Sequence, residues 1–199
     1  HDTLTEDLDL SYRAQLAGWR FVYREDHVTP AELPEEMEAF RAQQFRWAKG
    51  TVQTARKLLG RVWGDKSLPF SVRFEAVAHM TPHFSYPLML FLSVFLLPML
   101  VVMPASDPRT LLLVDVPLLF GSSGSVVAFY VTADVAQGRS AWNALKRLPS
   151  LMALGCGMSP YLTKGVFQGL AGPTGEFVRT PKKGDKSARQ QRYHARTQV

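Results

Sequence analysis

Tyr86-Pro-Leu-Met-Leu-Phe-Leu-Ser-Val-Phe-Leu-Leu-Pro-Met-Leu-Val-Val-Met103 is apolar apart from one serine, and its reading decides the fold. As a helix rising about 1.5 Å per residue, it reaches the length a bilayer core demands, roughly 20 residues. The neutral stretch is wider still. From His79 to Ser106 there is no Asp, Glu, Lys or Arg, far too long a run for a solvent-facing loop. A membrane span over about residues 84–104 is the expectation.

Two more apolar regions follow. Residues 110–133 make a second span, weakened by Asp115 and by Gly121-Ser-Ser-Gly-Ser125, features tolerated in a helix packed against protein neighbours. Asp115 is expected near the outer boundary of that span, where water can solvate it. Residues 148–171 are broken by Gly155, Gly157, Pro160 and Lys164 and are expected to be interrupted, either as a short span with an interfacial helix or as a re-entrant pair. Basic residues set the orientation. Arg56, Lys57, Arg61, Lys66 and Arg73 precede the first span, only Arg109 lies between the first two, and Arg139, Lys146 and Arg147 follow the second. Both flanks of the hairpin should therefore be cytoplasmic. The tail, with Lys182, Lys183, Lys186, Arg189, Arg192 and Arg196, is expected there too and to face lipid.

The part before the spans is unlike them. Leu4, Leu8, Tyr12 and Leu16 recur at helical spacing, with Thr5 placed to cap and Gly18 to terminate. Trp19-Arg20-Phe21-Val22-Tyr23 alternates in β-favouring residues and predicts a short strand. Leu33-Pro34-Glu35-Glu36 starts a second helix running to about Leu59, weakened at Gly50. From Trp47 to Trp63 that helix mixes apolar and basic residues, as on a membrane face or on an ordinary surface helix.

The chain has 199 residues, 46% of them hydrophobic and 20% charged, which excludes intrinsic disorder. Its single Cys156 excludes a disulfide scaffold and a cysteine zinc cluster. The net charge of +6 suits anionic lipid or a phosphorylated substrate. No fold motif or aromatic-basic interleaving supports nucleic acid. The chain starts at His1 with no charged-then-apolar leader, and is expected to be a piece of a longer protein.

Two groups of residues can carry chemistry. Thr5-Glu6-Asp7 opens a helix, where acids stabilise the dipole and a carboxylate is held ionised. Gln43, Arg46 and Trp47 stand at i, i+3 and i+4, on one helix face. Each alone reads as ordinary helix chemistry. In this order, about 40 residues apart and followed by spans, the chain resembles the membrane-embedded processive glycosyltransferases of family 2, the cellulose synthase-like and glucomannan (mannan) synthase-like group. Thr5-Glu6-Asp7 matches that family's TED motif and Gln43-Gln44-Phe45-Arg46-Trp47 its QxxRW motif; Gly175-Glu176-Phe177-Val178-Arg179-Thr180-Pro181-Lys182 looks like a C-terminal signature of its bacterial branch.

The resemblance implies a mainly α chain: the C-terminal remnant of a GT-A type α/β catalytic domain over residues 1–63, a membrane region over 64–171 and a basic cytoplasmic tail over 172–199. It implies Asp7 as catalytic base, with Glu6 and Thr5 supporting. Gln43 and Arg46 would border the nucleotide and Trp47 would hold the acceptor sugar. The partners implied are a nucleotide-sugar donor (UDP-glucose or GDP-mannose), a growing β-linked polysaccharide and membrane lipids, at a bacterial inner membrane. The implied Mg²⁺ or Mn²⁺ would be held mainly outside this stretch, since the family's upstream aspartates have no match and the one Asp-x-Asp is Asp7-x-Asp9 within the first helix. The piece alone should therefore be inactive. The rival expectations are transfer to a lipid-linked acceptor without export, and a non-catalytic membrane anchor or transport subunit.

Overall fold

The computed structural model describes residues 2–24, 27, 29, 31–102 and 107–172. It is mainly α, as expected: α1 (Glu6–Leu16), α2 (Met37–Gly64), α3 (Phe70–Met80), a 3₁₀ turn (Pro82–Phe84), α4 (Ser85–Val102), an apolar helix (Pro108–Ala136) and a last described helix (Ala141–Ala171). The predicted strand at Trp19–Tyr23 is absent. Those residues are irregular and exposed, and no strand occurs among the described residues. A β-favouring pattern sets a preference, but a strand needs a ladder partner, which these residues do not find here.

The chain divides into two units, one of residues up to Pro87 together with those from Pro160 onward, the other Leu88–Ser159. In the first unit, α1 ends as its sequence predicts: Gly18 takes φ +89° and Trp19 N–H reaches back to the Ala14 carbonyl at 3.0 Å. Its start differs from expectation. Thr5 occupies the cap position without a capping hydrogen bond, because its hydroxyl is 3.2 Å from that of Thr54 on α2. α2 begins at Met37, later than Leu33, with Glu36 extended at its N-cap.

Gly50 does not weaken α2. It gives α1 its seat, since a Cβ there would lie 2.8 Å from the Thr5 nitrogen and 2.9 Å from the Leu4 carbonyl carbon. Beyond it, Ala55 and Val62 of α2 join Ala76 and Met80 of α3 in a buried cluster, flanked by Tyr12, Leu16, Leu59 and Leu68. The apolar face of α2 after Trp47 is therefore turned into protein. Ala48, Val52, Leu58 and Val62 are all buried, while Arg56, Lys57, Arg61 and Trp63 stay exposed on the other side of the helix. The C-terminal part of the last helix uses the same device as α1, with Gly165 and Gly169 allowing close approach to Phe45 and to Lys49 and Val52.

In the second unit, the helix Pro108–Ala136 is, among the described residues, the one helix long and apolar enough to cross a membrane, and none of its apolar window is buried. Asp115 closes a π-helical turn, Leu111–Asp115, within it. At its C-terminal end Asp134 is clasped by Arg139 at 2.6 Å and Arg147 at 3.5 Å, and Gly138 at φ +73° makes the turn.

The expected interruption of residues 148–171 does not occur. Ala141–Ala171 is continuous helix. Gly155 and Gly157 each cost about 1 kcal/mol of helix relative to Ala, too little to break a helix that is buried again from Met158 onward. Pro160 cannot donate to the Cys156 carbonyl, but the Ser159 hydroxyl does, at 2.7 Å, and so fills the vacancy the proline leaves. The tail, including Gly175–Lys182, lies outside the described residues.

Candidate active site

All the sequence-predicted site residues lie in the first unit. Gly50 is the point of reference. Counting back along α2, Trp47, Arg46 and Gln43 stand three, four and seven residues before it, the spacing of one helix face. The Thr5-Glu6-Asp7 turn rests on that glycine. It therefore sits about 6 Å along the α2 axis from the level of Arg46 and about 10 Å from that of Gln43, at 1.5 Å per residue. Two bonds hold it there: Leu4 N–H donates to Gln53 Oε1 at 3.1 Å, and the Thr5 and Thr54 hydroxyls pair.

Glu6 and Asp7 are both exposed. The Asp7 carboxylate accepts only the Leu8 N–H, at 2.8 Å, among the described residues. It is an exposed acid in the first turn of α1. Its neighbour two residues on is the opposite case. Asp9 is buried, with Lys57 Nζ 2.9 Å from one oxygen and Arg13 Nε 2.9 Å from the other. Lys57 also holds Asp2 at 2.8 Å. Hydrogen bonds to Asp2 and then Asp9 raise the Lys57 pKa, and the Lys57 bond lowers that of Asp2. Asp9 is thus structural cement beneath the Asp7 turn.

On α2, Gln43 is only 9% exposed and its Oε1 has no partner among the described residues. An open buried amide oxygen costs about 1–3 kcal/mol, which a ligand hydroxyl or N–H would relieve. Arg46 is half-buried. Trp47 is 43% exposed and offers a ring face to solvent. The stripe of α2 that seats Leu4 and Thr5 also bears the guanidinium, the unfilled acceptor and the indole, and Asp7 lies two residues past that seat.

The divalent ion implied by the resemblance does not fit these residues. Among the described residues no three of His, Cys, Asp and Glu cluster closely enough to hold one. Asp9, the second acid of Asp7-x-Asp9, is occupied by two cations.

Sequence reasoning placed the acid and the QxxRW face but missed what joins them. Gly50, Gln53, Thr54 and Lys57 all serve α1. Their spacing from 50 to 57 follows helical periods and could have marked a docking face. Gly50→Ala should push the α1 start off α2, because the clash is with backbone atoms. We expect a loss of about 1–3 kcal/mol in unfolding free energy. An unchanged thermal midpoint in the full-length protein would show that the contact is loose.

Residues 1–132 match the model of the glycosyl transferase family group 2. A probable glucomannan 4-beta-mannosyltransferase 11 of Arabidopsis thaliana is 31% identical over 92% of this chain and 40% of its own length. A probable glucomannan 4-beta-mannosyltransferase 3 of rice, Oryza sativa subsp. japonica, is 35% identical over 47% of this chain and 19% of its own length. A second rice protein, glucomannan 4-beta-mannosyltransferase 1, is 44% identical over 33% of this chain and 13% of its own length. The chain thus spans well under half of these relatives. No solved structure matches it. With two thirds of its length on the family model and a relative aligned along nearly all of it, the chain belongs to glycosyl transferase family group 2.

Proposed function

We propose that this chain contributes the base and the acceptor-side face of an inverting membrane glycosyltransferase that adds a hexose from a nucleotide sugar to a growing β-linked polysaccharide. The observation that carries the reading is the docking of Thr5-Glu6-Asp7 on Gly50, on the α2 face that also bears Gln43, Arg46 and Trp47. A hydroxyl of the acceptor attacks the anomeric carbon of the donor while Asp7 takes its proton. The bond from that carbon to the phosphate oxygen breaks, and the nucleoside diphosphate leaves with the electron pair. Arg46 holds the diphosphate through its planar fork. Gln43 fills its open oxygen with a donor hydroxyl or N–H. Trp47 stacks on the C–H face of the acceptor ring, and this positioning converts an encounter into a bound, aligned pair.

The names of the plant relatives favour mannose as the hexose and a nucleotide-activated mannose as donor. The apolar helix Pro108–Ala136 and the uncharged α4 support a membrane location, with Arg73 and Arg139 on the cytoplasmic side and Arg109 outside. Export of the chain through these helices belongs to the same reading.

Arg46→Lys and Trp47→Ala separate the two sides of the site. The lysine keeps the charge and loses the fork, so nucleoside diphosphate should bind roughly tenfold more weakly while acceptor oligosaccharide binds as before. Trp47→Ala should do the reverse. Calorimetry on the full-length enzyme in detergent reads both. If both ligands bind both variants as they bind the parent, the face is structural and the reading fails.

A further inference from the structure

Arg46 and Trp47 stand between two grips on α2, of which the Gly50 seat is one. The other lies on the C-terminal part of the last helix, which belongs to the same unit. There the ring of Phe45, within the Gln43–Trp47 stretch, enters a notch. Its wall is the Tyr161 ring, 4.9 Å away between centroids. Its floor is Gly165, where a Cβ would lie 3.1 Å from Phe45 Cδ2 and 3.3 Å from the Phe45 carbonyl oxygen. Tyr161 and Gly165 are four residues apart and so share a face of their helix. One turn earlier on α2, the Arg41 guanidinium carbon sits 4.7 Å from the centre of the Tyr161 ring and closes the notch.

The contact continues along both helices. A Cβ at Gly169 would meet the Lys49 carbonyl oxygen at 2.8 Å, Lys49 Nζ approaches Gln168 Oε1 at 3.5 Å, and Arg56 Nη1 donates to the Gly169 carbonyl at 3.1 Å. Phe45 and Gly50 are five residues apart, which is about 140° around α2. The last helix and α1 therefore hold α2 from two sides, and it cannot roll without leaving one of them. The residues that serve α1, Gly50, Gln53, Thr54 and Lys57, all come after Trp47. On the other side of that seat, the notch supplies the hold.

We propose that Tyr161, with Gly165 beneath the Phe45 ring, is a positioning residue of this glycosyltransferase. It sets the roll of α2, and with it the directions in which Arg46 and Trp47 meet donor and acceptor. The proposal rests on the reading of those two residues given above. Tyr161 acts through Phe45 and not on a ligand. On a helix free to roll, each ligand alone still finds its side chain, whereas reaction needs both aligned at one moment, and a misplacement of about 1 Å costs on the order of a hundredfold. Loss of the notch should therefore lower kcat and spare binding.

The test uses the full-length enzyme in detergent, labelled with 5-fluorotryptophan, the Trp47 resonance being assigned by its loss in Trp47→Phe. Turnover is read with GDP-mannose or UDP-glucose, whichever the parent uses, and binding with the matching nucleoside diphosphate. Tyr161→Ala should shift or split the Trp47 fluorine resonance and lower kcat roughly tenfold, with the Kd of the nucleoside diphosphate changed less than about twofold. Tyr161→Phe keeps the ring and should return resonance and kcat to those of the parent. Gly165→Ala raises the floor under Phe45 and leaves the Tyr161 ring in place. It should move the same resonance and lower kcat, so the proposal stays testable if Tyr161→Ala does not fold. An unmoved Trp47 resonance in both alanine variants overturns the positioning role and leaves the site reading standing. A moved resonance with the parent's kcat overturns the site reading itself, since the direction of Trp47 then has no bearing on the reaction. A Tyr161→Phe variant as slow as Tyr161→Ala overturns the notch by assigning the effect to the hydroxyl.

Discussion

Asp7→Asn in the full-length enzyme should lower turnover by roughly 10² to 10⁴, the usual size of a general-base contribution, with donor binding and thermal midpoint unchanged. The structure makes this a clean substitution. The Asp7 side chain is exposed and its one accepted bond, from the Leu8 N–H, can be taken by the asparagine carbonyl. No cation is left stranded, because Lys57 and Arg13 are held by Asp9. What is lost is the capacity to accept a proton. Glu6→Gln should cost far less, since the proposed mechanism gives Glu6 only a supporting role. Turnover near that of the parent in Asp7→Asn, measured as nucleoside diphosphate release, removes Asp7 from the mechanism.

Lys57→Met should destabilise the protein by about 1–3 kcal/mol, the cost of leaving a buried acceptor short of a partner, because Lys57 itself is exposed while Asp9 is buried. It leaves the buried Asp9 carboxylate with Arg13 alone and frees Asp2. Asp9→Asn in the same chain should restore much of the loss, because the stranded charge is gone. The pH dependence has a definite sign. Lys57 has its pKa raised in the folded protein, so its contribution is complete below the ordinary lysine value near 10.4 and fades as pH rises through the higher folded value. Thermal unfolding of the parent should therefore weaken in strong alkali more than that of Lys57→Met. Parallel alkaline profiles would show that the pair carries no stability.

The helices were legible because helical period and end signals act locally. Gly18 stops α1 where its lack of a side chain permits positive φ, and no tertiary partner is needed for that. The Trp19–Tyr23 strand failed for the opposite reason: a strand is a statement about a second strand. The break expected at Pro160 failed because a hydroxyl one residue earlier repairs the missing bond. At the site, residue types announced the acid and the QxxRW face. The docking between them was hidden, because a glycine in a helix reads as a weakness until the backbone that occupies its empty side is seen.

That empty side also sets which spacings in the chain can drift. The connection from Leu16 to Met37 spans the gap between two docked helices, and lengthening it costs little, about 0.6 kcal/mol for each doubling of a flexible loop. An insertion between Trp47 and Gly50 is a different matter. One extra residue would swing Gln43, Arg46 and Trp47 about 100° around α2 relative to the seat of α1, parting the proposed base from the face it is proposed to serve. Chains that keep this chemistry should vary freely in the length of that connection while holding the three-residue step from the indole to the glycine fixed.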